Sequence, residues 1–112
     1  MKTIEENLNK ILIGGRQKIC PDEVIMLKAD VNYTEVHLCS GKMLIVATTL
    51  KALEKRFSNF LFFRTHKSYL INLRYVLDSQ EVINKNVLMQ NDFSVEISRR
   101  KKTKFRREML LI

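Results

Sequence analysis

Glycine is scarce in this chain, and its scarcity removes most nucleotide-binding loops. Only three glycines occur among the 112 residues, and two of them, Gly14 and Gly15, are adjacent. Neither a Gly-x-Gly-x-x-Gly fingerprint nor a phosphate-cradling P-loop can be written with them. The sequence therefore excludes the nucleotide-binding folds that depend on these motifs.

Cysteine and long apolar runs are also rare. Cys20 and Cys39 are the only cysteines, and their spacing matches no zinc site. We expect both to fill small, buried apolar positions in a reducing interior. The N-terminal apolar run at 11–13 is too short for a signal sequence or a membrane span. These features predict one cytoplasmic domain that folds without a metal or a disulfide.

The acidic residues are too dispersed for a metal-dependent nuclease. Twelve Asp and Glu residues are spread along the chain without paired spacing. His66, Ser68 and Asp78 contain the atoms of a hydrolase triad, but no glycine-rich elbow surrounds Ser68. We therefore predict that the protein is not an enzyme, with no catalytic or metal-binding residues, no cofactor and no small-molecule substrate.

Positive charge is in excess, and it is concentrated in two segments. The formal net charge is +8. Residues 99–107 carry seven cations and no acid, so all other residues together carry only +1. Arg64, Lys67 and Arg74 form a second group with no acid between residues 64 and 74. This localisation favours a polyanionic partner over charge that serves solubility alone.

Apolar patterning predicts a mainly β domain of short antiparallel strands. Strands are predicted at 12–13, 17–20, 24–27, 35–39, 43–47, 60–63, 68–73, 75–82, 87–90 and 93–97. Turns are predicted at 21–23, 30–32, 40–42, 84–86 and 91–92. One mid-chain helix is expected after Thr48 or Thr49, with Leu50, Leu53 and Phe57 on one face.

A short C-terminal helix is also predicted. Phe105, Met109 and Ile112 fall on one stripe, and Ser98 is a candidate N-cap. The first turn is then wholly basic, although a cation at a helix start costs up to about 1 kcal/mol. Two interpretations stay open at this point. Either the free N–H groups and the cations await a phosphate, or the run is a solvated basic tail.

The most specific pattern lies at residues 62–72, which read Phe-Phe-Arg-Thr-His-Lys-Ser-Tyr-Leu-Ile-Asn. This segment is similar to the signature Phe-x-Arg-x-His-[Arg/Lys/Asn]-Ser-[Tyr/Phe]-hydrophobic-hydrophobic-Asn of the LytTR family. Residues 32–33, 49–54 and 95–100 resemble further family segments in the same order. The chain thus resembles, over residues 20–112, the mainly β DNA-binding domain at the C-terminal end of many bacterial response regulators. Residues 1–19 are expected to be an N-terminal extension packed on that domain.

The resemblance implies an elongated, multi-sheet β domain that reads double-stranded DNA with loops rather than with a recognition helix. It places Lys67 in the major groove, Arg100 or Arg99 at a second reading position, and the turn with Asn32 and Tyr33 at a third. It also implies phosphate contacts by two serines, Ser68 and Ser98.

The side-chain chemistry is compatible with these roles. Arg and Lys can donate to the guanine edge, and each good contact gives about 1 to 3 kcal/mol of discrimination, so Lys67 and Arg100 are the expected base readers. Asn32 could pair with adenine, but an Asn in a turn more often bonds its own backbone. Other cations are expected to neutralise DNA phosphates, namely Lys101, Lys102, Lys104, Arg106 and Arg107.

Several nearby residues have simpler structural interpretations. His66 is flanked by strands, and we expect it to satisfy a buried hydrogen bond rather than to contact DNA. His37 is expected on the surface of a strand, and Tyr69 and Phe105 in the core. Two interpretations of Arg64 stay open: it could form an ion pair with an acid, or it could face DNA.

These observations predict a stand-alone bacterial transcription regulator. The chain before residue 20 is too short for a phospho-acceptor receiver domain, so control is expected from expression level, a membrane or signalling partner, or a ligand. A homodimer on repeated half-sites would multiply a modest affinity. The alternative is a basic interaction module that binds an acidic protein, RNA or a membrane surface without sequence readout. RNA is disfavoured because most of the nine aromatic residues fit core positions rather than stacking platforms.

Overall fold

The computed structural model describes residues 10–77 and 86–112. In this part of the chain nine strands form three antiparallel sheets, which confirms the predicted mainly β architecture. The strands are β1 Ile11–Gly14, β2 Gln17–Ile19, β3 Val24–Ala29, β4 Thr34–Leu38, β5 Met43–Val46, β6 Phe62–His66, β7 Tyr69–Asn72, β8 Asn86–Leu88 and β9 Ser94–Glu96. The α-helices are α1 Leu50–Arg56 and α2 Lys102–Leu110, and 3₁₀ turns lie at Pro21–Glu23, Leu73–Tyr75, Gln90–Asp92 and Arg99–Lys101.

The central sheet has five strands in the order β5-β4-β3-β7-β6. Strand β3 is antiparallel to both neighbours, with Ala29 paired to Thr34 and Lys28 paired to Tyr69. The end of β3, the start of β4 and the β6–β7 turn therefore meet at one end of the sheet. Strand β5 also ends there, since Val46 pairs with Thr34. We call this end of the sheet the loop end.

Two hydrophobic clusters are built on the alternating residues of the central strands. In β7, Leu70 belongs to one cluster and Ile71 to the other, because successive residues of a strand point to opposite faces. Strands β1 and β2 and helix α1 complete the first cluster with Ile13, Ile19, Leu50, Leu53 and Phe57. Strands β8 and β9 and helix α2 complete the second with Val87, Val95 and Phe105. The expected core positions of Phe105 and of strand 24–27 are confirmed, and Tyr69 packs partly buried against the second cluster.

Helix α1 begins where the sequence predicts. The side chain of Thr49 caps it by accepting a hydrogen bond from the Ala52 N–H at 3.2 Å. Leu50, Leu53 and Phe57 are all buried, as the predicted apolar face requires. The local cap and the local apolar stripe together indicate where this helix begins and which face it buries.

Several predicted strand boundaries are wrong, and three of them have identifiable causes or consequences. Residues Leu73–Tyr75 form a 3₁₀ turn rather than strand, because the Asn72 side chain accepts a hydrogen bond from the Arg74 N–H at 3.0 Å. Strand β6 continues beyond 63 to His66. Gln90 lies in a turn whose residues Asn91 and Asp92 have positive φ angles of 61° and 64°. The rest of the strand predicted at 75–82, and the turn at 84–86, fall largely outside the described residues.

The C-terminal helix is present, but its predicted cap and stripe need correction. Ser98 precedes the 3₁₀ turn Arg99–Lys101, whereas Lys101 precedes α2. Ser98 makes no capping side-chain bond, because its hydroxyl donates instead to the Thr65 carbonyl at 3.0 Å. Helix α2 ends at Leu110, and Ile112 is 55% exposed, so the stripe stops at Met109. Within residues 10–77 and 86–112, no helix has the length and apolarity needed to cross a membrane.

Two predictions about side-chain burial are also wrong. Cys39 is exposed and Cys20 only half-buried, so neither fills a core position. The side chain of His37 is only 16% exposed. Its ring packs edge-on against Phe93, with 5.0 Å between ring centroids, and its Nε2 lies 2.9 Å from Glu35 Oε1. Phe93, which directly precedes β9, therefore covers His37. The alternating pattern within β4 does not reveal this contact between distant residues.

Candidate nucleic-acid interface

Three segments meet at the loop end of the sheet. They are residues 30–33 between β3 and β4, residues 66–68 between β6 and β7, and residues 98–101 before α2. The Ala29 N–H donates to the Ser68 carbonyl at 2.8 Å, which joins the first segment to the second. The Ser98 N–H donates to the Thr65 carbonyl at 2.7 Å, which joins the third segment to β6. The fold thus brings together residues that are 70 positions apart in the chain.

Two adjoining clefts separate these segments. One, of about 630 Å³, lies between residues 66–68 and residues 98–101. The other, of about 330 Å³, lies between residues 30–33, the start of α1 and Lys67. Lys51, Arg64 and Lys67 line both clefts. We call the four exposed cations around the clefts the basic face, namely Lys51, Lys67, Arg99 and Arg100.

The basic face is electrostatically uncompensated in the described part of the chain. One ion pair there joins Arg64 to Glu54 at 2.7 Å, and two contacts bring His37 to Glu35 and His66 to Glu96. None of them involves the basic face. Glu54, which lines the larger cleft, is therefore engaged by Arg64, whereas Glu96 is 63% exposed there and lies 3.8 Å from His66. The four cations of the basic face have no salt-bridge partner among the described residues and are available to an external anion. No group of three or more metal-ligating side chains occurs within residues 10–77 and 86–112.

Asp30, rather than Asn32, shapes the first segment. Its Oδ1 accepts the Val31 N–H at 2.7 Å, and its own N–H donates to the Tyr33 carbonyl at 2.8 Å. The pKa of Asp30 is lowered, chiefly by the Val31 N–H and then by the Tyr33 hydroxyl, because both favour the carboxylate. The expected bond from the Asn32 side chain to its own backbone is not found among the described residues. Asn32 and Tyr33 are both exposed.

Arg64 and His66 organise the second segment from inside. Arg64 pairs with an acid, Glu54, which decides the alternative that the sequence left open. The His66 Nδ1 accepts the Ser68 N–H at 3.2 Å, so the predicted internal hydrogen bond is present. The His66 ring is 27% exposed rather than buried, and its Nε2 lies 3.8 Å from Glu96 Oε2. Lys67 at the tip of the turn is exposed, and Ser68 is half-buried beside it.

Two of the predicted phosphate contacts already make internal bonds. The Ser98 hydroxyl donates to the Thr65 carbonyl, and the Lys101 ammonium donates to the Arg64 carbonyl at 2.8 Å. Burial lowers the pKa of Lys101, because it disfavours the charged ammonium. Lys102 is half-buried at the start of α2, whereas Lys104, Arg106 and Arg107 are exposed along it.

Lys51 is a site residue that sequence reasoning missed. It is exposed in the first turn of α1, where no acid is present, and it lines both clefts. A cation at a helix start is unfavourable in α1 as it is in α2, so this signal marks Lys51 as a candidate for anion binding. Its place beside Lys67 depends on the packing of α1 against the sheet, which the sequence pattern does not show.

Comparison with known proteins decides the family. The family model of the LytTr DNA-binding domain matches residues 15–110. The chain belongs to the LytTR family. This LytTR domain is a DNA-binding domain, as the segment at 62–72 predicted.

The chain is also similar to one curated protein in sequence and to one solved structure in fold. The sensory transduction protein LytT of Oceanobacillus iheyensis is 27% identical over 75 residues, which cover 64% of this chain and 30% of that protein. The LytTR domain therefore spans less than a third of that relative's length. The LytTr DNA-binding domain of a Bacillus cereus protein described as a methyl-accepting/DNA response regulator superposes with a TM-score of 0.70 at 17% identity. That superposition covers 89% of this chain and 94% of the other, and it confirms the expected LytTR-like fold.

Proposed function

We propose that this LytTR domain recognises specific double-stranded DNA sequences and thereby regulates transcription. The observation that supports this proposal is the convergence of three segments at one end of the central sheet. Their exposed cations have no intramolecular partner in the described part of the chain. A surface of this kind can approach the DNA backbone and place side chains into a groove at the same time.

The side chains divide into base readers and phosphate contacts. Lys67 and Arg100 each reach the guanine edge in the major groove, with Arg99 as the neighbouring candidate. Asn32 and Tyr33 contact the DNA from the far side of the smaller cleft. Ser68, Lys51 and Lys102 neutralise or bond phosphates. Ser98 and Lys101 act mainly inside the protein, since each has committed a donor to β6.

Selection from random duplexes tests the proposal. The affinity of the domain for the selected duplex and for a scrambled version is then measured as a function of salt. We expect the selected duplex to bind about a thousandfold more tightly at physiological salt. Equal binding of the two duplexes would refute sequence recognition. It would point instead to a basic module for an acidic protein, RNA or a membrane surface, which shares the salt dependence.

Matched lysine variants assign the roles. Lys67→Ala should relax the preference at one base pair by about 1 to 3 kcal/mol. Lys102→Ala should weaken binding to all duplexes similarly and flatten the salt slope by about one unit. Lys42→Ala removes the same charge from the exposed hairpin at the opposite end of the sheet and serves as the control. If Lys67→Ala and Lys102→Ala behave alike, the division into readers and phosphate contacts is wrong.

We also propose that two copies bind repeated half-sites, because linking two modest contacts raises the overall affinity. Sedimentation of the domain with duplexes that carry one or two selected half-sites measures the stoichiometry. Two independently occupied half-sites, with no gain in affinity from the second, would exclude cooperation between the copies.

A further inference from the structure

Arg64 lies in β6 beside the turn that carries Lys67. Its side chain bonds to two backbone carbonyls of that turn and to helix α1. Its Nε donates to the His66 carbonyl at 2.9 Å, and a terminal nitrogen donates to the Lys67 carbonyl. The other terminal nitrogen pairs with Glu54 Oε1 on α1 at 2.7 Å. The guanidinium is thus held on three sides, and the side chain is only 17% exposed.

The backbone of Arg64 holds the third segment. Its carbonyl accepts the hydrogen bond from the Lys101 ammonium at 2.8 Å. The next carbonyl along β6, that of Thr65, accepts both the N–H and the hydroxyl of Ser98. One residue therefore connects the turn that presents Lys67 with the segment that presents Arg100.

A β-bulge makes this double attachment possible. Arg64 pairs with Leu70 and His66 with Tyr69, so Thr65 is an extra residue in β6. The extra residue of a bulge is left out of the strand ladder, and the strand bends there. Because a bulge leaves backbone groups unpaired, other contacts must hold the bent strand in place. The hydrogen bonds from the Arg64 side chain and from Ser98 are such contacts.

We propose that Arg64 is a positioning residue that sets the placement of Lys67 relative to Arg100 without contacting DNA. The inference rests on the proposed function, because it takes these two side chains as base readers. A guanidinium is suited to the task, since its planar fork holds several acceptors in fixed directions. A lysine at this position keeps the charge but cannot reach the two carbonyls and Glu54 together.

Two substitutions separate positioning from direct contact. Arg64→Ala and Arg64→Lys should both reduce discrimination by about tenfold at the base pairs read by Lys67 and Arg100. Neither should change the salt slope. Arg74→Ala is the matched control, because Arg74 is exposed just after β7 at the opposite end of the sheet. In a Lys67→Ala background, Arg64→Ala should have no further effect at the base pair that Lys67 reads.

The opposite results would overturn the proposal. If Arg64→Lys restores discrimination, or if Arg64→Ala flattens the salt slope by about one unit, then Arg64 contacts a phosphate directly. If Arg64→Ala behaves like Arg74→Ala, the clamp has no effect on reading.

Amide hydrogen exchange of the free protein tests the clamp without DNA. Arg64→Ala should accelerate exchange about tenfold at Ser68, since the side-chain bonds that fix its turn are removed. Exchange at Ser98 and Lys101 should change less, because their bonds to the Thr65 and Arg64 carbonyls involve only the backbone of β6. Exchange at the buried Val87 and Val95 of the β8–β9 sheet should not change. Unchanged exchange at Ser68 would overturn the clamp. Absence of any sequence preference in the unmodified protein would instead overturn the proposed function, so the two failures are distinguishable.

Discussion

Two buried threonines at the loop end differ in their hydrogen bonding and provide a sharp test of the structure. Thr34 is 1% exposed and Thr65 is 0% exposed. The Thr34 hydroxyl donates to the Thr48 carbonyl at 2.7 Å. The Thr65 hydroxyl has no hydrogen-bond partner among the described residues. Valine has nearly the same shape as threonine but lacks the hydroxyl. Thr65→Val should therefore raise the free energy of unfolding, and Thr34→Val should lower it.

The magnitudes follow from the cost of burying a hydroxyl. A buried hydroxyl without a partner costs about 1 to 3 kcal/mol relative to water. Thr65→Val should therefore stabilise the protein by about 1 kcal/mol and raise Tm by about 4 °C. Thr34→Val removes a bond and deprives the Thr48 carbonyl of its donor, so it should destabilise the protein by about 1 to 2 kcal/mol.

Urea unfolding followed by circular dichroism measures both changes, and the denaturant m-value should stay constant. Thr65→Ser is a useful third variant, because it keeps the hydroxyl and loses the methyl group. We expect it to be less stable by about 1 kcal/mol. Destabilisation by Thr65→Val as large as that by Thr34→Val would contradict this prediction, since the Thr65 hydroxyl would then have a partner in solution.

Three further predictions concern the loop, the C-terminal helix and a close backbone contact. The pKa of Asp30 is lower in the folded protein than in the unfolded chain, so the Asp30 carboxylate stabilises the fold at pH values above the unfolded-state pKa. This stabilisation is lost as the pH falls through the folded-state pKa. Asp30→Asn should thus flatten the loss of unfolding free energy below about pH 5, as urea titrations at several pH values would measure. Phe105→Ala should cost about 3 to 5 kcal/mol and release α2, with a matching loss of helical circular dichroism. A Cβ on Gly14 would lie 2.9 Å from the Val46 Cβ, so Gly14→Ala should cost about 1 to 3 kcal/mol in thermal unfolding; a neutral result would show that β1 can shift.

The elements that the sequence predicted well are those with local causes. The cap at Thr49 and the stripe of Leu50, Leu53 and Phe57 lie within nine residues, so the position of α1 can be predicted locally, although its stability depends on packing into the first cluster. The hairpin at 40–42 is equally local, because Gly41 adopts a φ of +94° in it.

The misplaced boundaries depend on side-chain bonds and strand pairing that the apolar pattern does not show. Arg64, Thr65 and His66 are polar and resemble a loop, yet they continue β6 because β7 pairs with Arg64 and His66 and because Glu54 neutralises Arg64. Leu73–Tyr75 looks like strand, but the side chain of Asn72 bonds its backbone into a turn and also donates to the Val24 carbonyl at 3.0 Å.

The candidate site was predictable in the same uneven way. Lys67 and Arg100 lie in segments that resemble known family motifs, so the sequence could nominate them. Lys51 joins them only because α1 packs beside the sheet, and that packing depends on residues distant in the chain. Lys101 was assigned to phosphate because the sequence gives its charge but not its bond to the Arg64 carbonyl.

The two ends of the central sheet should differ in their tolerance of insertions and deletions, because the bulge in β6 lies at the loop end. Because side chains alternate with a period of two, one residue added or lost between Arg64 and Lys67 would turn the following side chains to the other face and detach Ser98. The exposed hairpin at 40–42 lies at the opposite end, where β4 and β5 are joined. An epitope tag or a fluorescent label inserted there would leave the basic face intact, which makes that hairpin the natural place to attach a reporter for following the protein on DNA.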